Sequence, residues 1–488
     1  MEKTMTINLM EFLDESARYR LNILQIFDLR KGQFISSDLL IEFLGISKFK
    51  LNNYLTELEK DLGETEDTRL HRLARGEIEI VHLTNEVIRQ LRLKYVKASE
   101  TFIFFQELVL YGTSAEKFAQ KNFLSRSKAY LIKNNLGKIV RSAGVKVGDS
   151  ELRGDETAVR NLLFEVYYYF FNGIESPFPQ ELQTEIRSYI ELIRSVFHIE
   201  RILTRLIKLE LFLGIVLIRW KQKRFIIIKE AILNMNVIHQ ILGDFPLYLK
   251  KVTQEYQLPQ AILHDENVWL FRFLLAEECL PLSEYQDVLI EHTELMDITN
   301  QQVTFVFDQI TFEDVPTTEI DCIAEKLKME LLLINFKLDC SSYTQTTFIS
   351  KDQIVYFAES YPQFHMCAQK LAKITHQRLP QTNENNLYYD YLFTIISSIP
   401  PVFVKDKVFV CVDFSKGRAY SEFIAQNIQS FRSLNVEIQK KVNNQTQIYI
   451  SDFMVDKLVC RQIIWKNPPS DEDWMFFGDT VVKVRKEK

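Results

Sequence analysis

The sequence predicts a mainly α-helical, multidomain protein with two helix-turn-helix units in tandem and a small α/β domain at its C-terminal end. At 488 residues, 47% of them hydrophobic, the chain is long enough to form several domain cores. It contains only 14 glycines, and low glycine content favours helices. In addition, a short helix, a turn and a longer helix are predicted twice within the first 150 residues.

Positive charge is concentrated in one stretch of the chain. Residues 89–146 hold twelve Lys and Arg but three Asp and Glu, a net charge of +9, whereas the whole protein has a net charge of −6. Such a contrast indicates contact with an anion, and the phosphate backbone of a nucleic acid is the best fit. The structural alternative is a solvated helical face without a partner.

The first unit, residues 10–88, has the pattern of a winged helix. Apolar residues between 21 and 29 share one helix face, and a short helix to residue 44 begins at Ser36 or Ser37. Gly45 permits a tight turn, and Ser47 caps a longer helix to about residue 62. The predicted wing strands are residues 70–73 and 78–83.

The basic stretch repeats this pattern. A helix over residues 102–111 ends at Gly112, Ser114 caps a helix through residue 123, and Ser125 or Ser127 opens a long helix to about 142. The predicted inner face of that helix comprises Tyr130, Leu131, Leu136, Ile139 and Val140. The predicted strands of a second wing are residues 145–147 and 151–153.

Helical periodicity continues through residues 155–395, which predicts two helical bundles that meet near 275–285. Two of the predicted helices span 229–256 and 283–297. The aromatic cluster at 164–171 is expected to pack in a core rather than to stack on bases. After Pro400, a small α/β domain with a partly parallel sheet is predicted. Its predicted strands are residues 407–414, 436–440, 447–452 and 460–465, and its predicted helix is 419–431.

The second helix of each motif is expected to enter a major groove with its N-terminal residues toward the base edges. Arg126 is the expected base reader because a guanidinium group can bond two acceptors of guanine. The other candidates in the second unit are Ser125, Ser127, Lys128, Tyr130 and Lys133. The candidates in the first unit are Ser47, Lys48, Lys50 and Asn52, with Arg72 and Arg75 at the wing tip. Residues 1–88 carry a net charge of −5, so this unit is expected to dock more weakly.

The sequence argues against several classes of protein and of binding site. The chain shows no phosphate-binding or dinucleotide-binding glycine motif, no nucleophile elbow and no metal-ligand spacing, so no enzyme, cofactor or metal is expected. Its six scattered cysteines predict reduced, mostly buried thiols. No apolar run is long enough to span a bilayer and no signal peptide is seen, so a cytoplasmic location without membrane contact is expected.

The order of elements resembles the Mga/AtxA family of Gram-positive virulence regulators. The resemblance rests on LLIEFLGIS at 39–47, the basic helix-turn-helix at 115–142, and YYYFFNGIESPF at 167–178. It implies two phosphotransferase-system regulation domains (PRD) within 160–395 and a domain similar to the EIIB component at 402–488. It also implies an activator of virulence or metabolic genes that forms homodimers or higher oligomers. The implied partners are double-stranded DNA, RNA polymerase and a phosphotransferase-system phosphocarrier protein.

The predicted domain boundaries follow from these patterns and from the resemblance. The five domains are 1–88, 89–158, 159–280, 281–398 and 399–488. Candidate phosphorylation sites in the helical centre are His198, His365 and His376, where phosphate would add negative charge at an interface; the alternative for each is a plain structural role. Two rival functions remain: a phosphotransferase component that relays phosphate through His and Cys411, and a scaffold whose winged helices bind protein.

Overall fold

The computed structural model describes residues 7–30, 33–65, 67–228, 246–280, 284–285, 293–313, 315–340, 351–380, 382–431, 434–466 and 468–487. These residues form two compact units, the first from residues 1–292 with 339–346 and the second from 293–338 with 347–488. Helices dominate both units, which confirms the mainly helical class. No helix in the described ranges combines the length and the apolar composition needed to cross a membrane.

The first winged helix forms as predicted, with one additional strand. Its elements are α1 (Glu15–Leu29), β1 (Ile35–Ser36), α2 (Ser37–Leu44), α3 (Lys48–Gly63), β2 (Arg69–Arg72) and β3 (Glu77–Val81). The Ser36 hydroxyl accepts a hydrogen bond from the Leu39 amide, so Ser36 is the N-cap of α2. Gly45 ends α2 with φ 63°, which is the left-handed conformation a side chain disfavours. The strands pair antiparallel in the order β1-β3-β2, and β1 is the strand missing from the prediction.

The second helix-turn-helix and its small wing also form. Their elements are α4 (Asn85–Ala98), α5 (Glu100–Tyr111), α6 (Ala115–Lys121), α7 (Arg126–Arg141), β4 (Lys146–Val147) and β5 (Leu152–Arg153). Ser125 is the N-cap of α7, so the alternative at Ser127 is wrong. Helix α6 ends two residues earlier than predicted.

One prediction for α7 is wrong. Tyr130 and Leu131 were placed on its inner face, but they are 43% and 54% exposed. The buried residues are Ala129, Ile132, Leu136, Ile139 and Val140. These positions recur every three or four residues, and Tyr130 and Leu131 fall about 100° and 200° around the helix from Ala129.

The rest of the first compact unit, after the two docking motifs, is helical. The described helices are α8 (Glu156–Phe171), α9 (Gln180–Phe197), α10 (Leu203–Lys221), α11 (Pro246–Tyr256) and α12 (Gln260–Ala276). Phe170 and Phe171 are buried, and Phe170 meets Phe12 and Phe102 in ring contacts, which confirms that the aromatic cluster packs in the core. Of the predicted helices, 229–245 and most of 283–292 lie outside the described residues.

The second compact unit, residues 293–338 with 347–488, contains a helical part and the α/β domain. Its described helices are α13 (Thr293–Gln309), α14 (Thr317–Asp339), α15 (Lys351–Ser360), α16 (Pro362–Arg378), α17 (Glu384–Ser398), α18 (Arg418–Ser430) and α19 (Asp471–Lys486). Its strands are β6 (Val408–Val412), β7 (Val436–Gln439), β8 (Ile448–Ser451) and β9 (Arg461–Ile464). They are ordered β7-β6-β8-β9, and all three described pairings are parallel, so the sheet is more regular than the partly parallel one expected.

Candidate DNA interface

The N-terminal turn of α7 presents polar and basic side chains to solvent. The Ser125 hydroxyl accepts a hydrogen bond from the Lys128 amide at 3.2 Å, which fixes where the helix begins. The exposed predicted residues of this turn are Ser125, Arg126, Ser127, Lys128 and Tyr130. All five are accessible at the N-terminal end of the helix, the end that docks in this class of motif.

The basic residues on α7 differ in whether an internal acid already holds them. Lys128 Nζ lies 2.7 Å from a Glu100 carboxylate oxygen, and Lys133 Nζ lies 2.9 Å from Asp149 in the wing turn. The Tyr130 hydroxyl donates to Glu116, and this hydrogen bond raises the pKa of Tyr130. Arg126 is exposed and has no ion-pair partner in the described part of the chain. Arg126 is therefore the group on this turn that is ready to bind an external acceptor.

The second wing is held by the helices that follow it. Arg224 pairs with Glu151 at 2.6 Å, and Arg219 donates to the Leu152 carbonyl at 3.5 Å and to Glu156 at 2.7 Å. Glu151 and Leu152 lie in the wing turn and in β5, whereas Arg219 lies in α10. The orientation of the wing relative to α7 is therefore set by α8 and α10 as well as by the motif itself.

In the first unit, α3 offers a similar but less basic surface. The Ser47 hydroxyl caps the helix by accepting from the Lys50 amide at 3.3 Å, and Lys48 and Asn52 are exposed. Lys50 pairs with Glu15 at 2.6 Å. Arg75 is exposed at the tip of the wing with φ 64°, as expected for a tight turn.

One expected wing-tip residue lies elsewhere. Arg72 belongs to β2, and its guanidinium donates to the Thr56 hydroxyl at 2.8 Å and pairs with Glu59 at 3.5 Å. Thr56 and Glu59 lie on α3, so Arg72 braces the wing strand against the docking helix instead of extending from its tip.

Two exposed aromatic residues in the docking motifs were missed from the sequence. Phe49, the second residue of α3, is 74% exposed, and Phe123, in the turn before α7, is 98% exposed with φ 54°. The signal at Phe49 was available, because it is out of register with the buried positions Leu51 and Leu55. Phe123 was assigned to the end of the preceding helix, which concealed its position in the turn.

The candidate phosphorylation sites lie in separate environments. His198 is exposed at the C-terminal end of α9, in the first compact unit. In the second compact unit, His365 Nδ1 lies 2.8 Å from the Tyr388 hydroxyl, and burial lowers the pKa of His365. His376 Nδ1 lies 2.9 Å from the Thr382 carbonyl oxygen. A carbonyl oxygen only accepts, so His376 Nδ1 carries the proton of this hydrogen bond, and in the neutral imidazole the lone pair is then on Nε2.

Cys411 lies within β6 and is buried, and this burial raises the pKa of its thiol to about 11. None of the six cysteines, all of which lie in the described ranges, forms a disulfide, and four are buried, as expected. Within the described ranges, no cluster of three or more His, Cys, Asp or Glu side chains is arranged to hold a metal ion.

Comparison with known families identifies the basic docking surface. Residues 84–168 match the family model described as the Mga helix-turn-helix domain. This segment contains α4 to α7, the second wing and most of α8. A search of curated proteins finds no match to the chain. The matched domain supports a DNA-binding transcriptional regulator, and residues 84–168 are similar to the helix-turn-helix domain of the Mga family.

Proposed function

We propose that this protein is a cytoplasmic transcriptional regulator, an activator of virulence or metabolic genes, that binds duplex DNA with the N-terminal turn of α7. The observation that carries the proposal is Arg126 at the start of α7, within the matched helix-turn-helix domain, which is exposed and forms no ion pair with any residue that the structure describes. Its guanidinium can bond two acceptors of a guanine in the major groove.

The surrounding charge supports the same contact. Residues 89–146 have a net charge of +9, so phosphate binding would release counterions and favour association at low salt. The Lys128–Glu100 pair is about half exposed, and exposed pairs contribute only about 0–1 kcal/mol. Lys128 can therefore exchange Glu100 for a DNA phosphate at little cost.

Substitution of Arg126 and Lys128 tests this interface. Arg126→Ala is expected to weaken binding to a selected duplex about 10- to 100-fold and to relax the preference for guanine. Lys128→Ala is expected to weaken binding to all duplexes alike and to flatten the salt dependence by roughly one unit of slope. Fluorescence anisotropy with full-length protein at several salt concentrations measures both effects.

Arg201→Ala is the matched control, because Arg201 is an exposed arginine in the segment between α9 and α10, outside both motifs. It should bind as the wild type does. If neither Arg126→Ala nor Lys128→Ala changes the affinity for duplex DNA, the proposed surface is contradicted. The absence of any salt-dependent duplex binding would favour the scaffold that binds protein.

We further propose that this activity is regulated by histidine phosphorylation and by self-association, with the helical centre as PRD-like domains and the C-terminal domain as an EIIB-like pairing domain. A phosphocarrier protein and RNA polymerase are the proposed partners. His198 is exposed, and in His376 the nitrogen able to attack a phosphoryl donor is Nε2 of the neutral ring, because Nδ1 bonds the Thr382 carbonyl.

The environment of Cys411 favours regulation over the rival phosphate relay. A relay needs a thiolate nucleophile, and a thiol whose pKa is raised to about 11 is almost wholly protonated at neutral pH. Cys411 also lies inside a strand and not at the start of a loop. We therefore propose a regulatory role without catalysis.

A further inference from the structure

Phe49 is a large apolar side chain exposed on a helix built to dock. It is the second residue of α3 and is 74% exposed, between Lys48 and Lys50. The core-facing residues of α3 begin at Leu51, so Phe49 lies outside the register that packs against α1 and α2. Single exposed apolar side chains are common on protein surfaces, but Phe49 lies on the N-terminal turn of a docking helix, where the surface of a bound partner would cover it.

The charges along α3 point to the identity of that surface. Its first turn carries Lys48 and Lys50, and Lys50 forms an exposed ion pair with Glu15 of α1. The acids at the other end of α3 are paired internally. These internal pairs are Asp61 with Arg20 and Lys94, Glu64 with Lys94, and Glu59 with Arg72. The turn that holds Phe49 is therefore basic, although residues 1–88 as a whole have a net charge of −5. A basic end with an apolar centre complements the phosphate-lined major groove.

An apolar side chain in the major groove has one matching base feature, the C5-methyl group of thymine. We infer that Phe49 is a specificity-determining residue of the first winged helix and that it packs against a thymine methyl group. The inference rests on the proposed DNA-binding function and extends it to a unit outside the matched residues 84–168.

Asn52 supports the same base pair. It is exposed on α3, three residues after Phe49, and residues three apart on a helix are neighbours on its surface. An asparagine amide can bond the two major-groove sites of adenine. Phe49 and Asn52 together would thus favour an A·T-rich half of the binding site, while Arg126 favours guanine in the other half.

Replacing thymine by uracil tests the methyl contact, because uracil keeps the base-pairing edge and lacks only that methyl group. A duplex is first selected from a random library with the full-length wild type, and each thymine is then replaced singly by uracil. At one or more positions, uracil should weaken wild-type binding by about three- to tenfold. Phe49→Ala should weaken binding to the thymine duplex by a similar factor and no longer distinguish uracil at that position.

Phe34→Ala is the matched control, because Phe34 is also an exposed phenylalanine of the first unit, 55% accessible, but lies before β1. It should keep the full discrimination against uracil. If the wild type binds the thymine duplex and every uracil-substituted duplex with equal affinity, the inference is overturned and the proposed function still stands. Retained discrimination in Phe49→Ala would do the same. A wild type that binds no duplex would overturn the proposed function and this inference together.

Discussion

Single residues in the first docking unit show how buried charge orients a recognition helix. Asp61, on α3, is almost fully buried and is held by Arg20 of α1 and by Lys94 and Tyr95 of α4, with the Tyr95 hydroxyl at 2.6 Å. Burial by itself would raise the pKa of Asp61. The hydrogen bonds from Tyr95 and Lys94 and the charge of Arg20 outweigh it, so the pKa is lowered from its usual 3.8.

Asp61→Asn should destabilise the first unit by about 3 kcal/mol, because it leaves Arg20 without its buried partner. A carboxyl whose folded pKa is lowered stabilises the fold above its unfolded pKa and loses this contribution as pH falls through the folded value. The stability of the wild type should therefore fall below about pH 4, and that of Asp61→Asn should fall less steeply. Thermal unfolding followed by circular dichroism at several pH values measures both.

Glu59→Gln is the control for Asp61, because Glu59 makes only an exposed pair with Arg72 at 3.5 Å. It should change the unfolding free energy by less than about 0.5 kcal/mol. If Asp61→Asn unfolds at the wild-type temperature at pH 7, the account of Asp61 as an anchor of α3 is wrong.

Among the elements, the close packing of α10 depends on one glycine. A Cβ added at Gly214 would lie 2.2 Å from the ring of Phe178, far inside contact distance. Phe178 is buried in the segment before α9. Glycine within a helix normally costs roughly 1 kcal/mol, so its presence here is explained by the approach of the aromatic ring.

Gly214→Ala should destabilise the first compact unit by about 1–3 kcal/mol despite the better helix propensity of alanine, because the ring of Phe178 must move. Gly137→Ala in α7 is the matched control, since a Cβ there meets no other atom within 4 Å. The control should be neutral or stabilising by up to about 1 kcal/mol. Urea unfolding of the full chain measures both, and equal effects of the two substitutions would refute the packing argument.

A buried network of charges also joins elements of the first unit. Arg160 on α8 makes two hydrogen bonds of 2.7 Å to Glu266 on α12, and both side chains are almost fully buried. Arg160 and Arg219 share Glu156. Because Arg219 also reaches the Leu152 carbonyl in the wing, this network offers a physical link between the helices and the DNA-facing motif.

For the whole molecule, the tandem motifs and the regulatory centre belong to one proposal. Two docking helices in one chain bind with a gain in effective concentration, so each can be weak alone. Oligomers would extend this gain to further half-sites. Phosphorylation would act on such an assembly by changing the charge at an interface between its parts.

Incubation of the full chain with a phosphohistidine carrier protein should place phosphate on one or more of His198, His365 and His376, and leave Cys411 unmodified. The reason is that Cys411 is buried and protonated, whereas His198 is exposed. Mass spectrometry under conditions that preserve phosphohistidine measures the sites, and His→Ala variants at each position are the controls. Stoichiometric phosphocysteine at Cys411 would instead establish the phosphate relay.

Local features of the fold were predictable from the sequence. Ser47 and Ser114 are helix caps, Gly45 and Gly112 are left-handed turns, and the helices of the two docking motifs end within a few residues of the predicted positions. Further along the chain the bounds are less accurate, because the helix predicted over 283–297 is described from Thr293 and ends at Gln309. Each of these features depends on residues only a few positions apart. The family of the second helix-turn-helix was predictable for the same reason, because its motif is contiguous in the chain.

Features that depend on distant residues were decided by the tertiary structure. The sequence showed a cluster of basic residues, but only the fold shows that Glu100 and Asp149 pair with Lys128 and Lys133. Among the described ranges Arg126 has no such ion pair. The burial of Cys411 and the exposure of Phe49 were decided in the same way. The physical reason is that ion pairing and burial depend on which segments meet in space, and those segments are far apart in the chain.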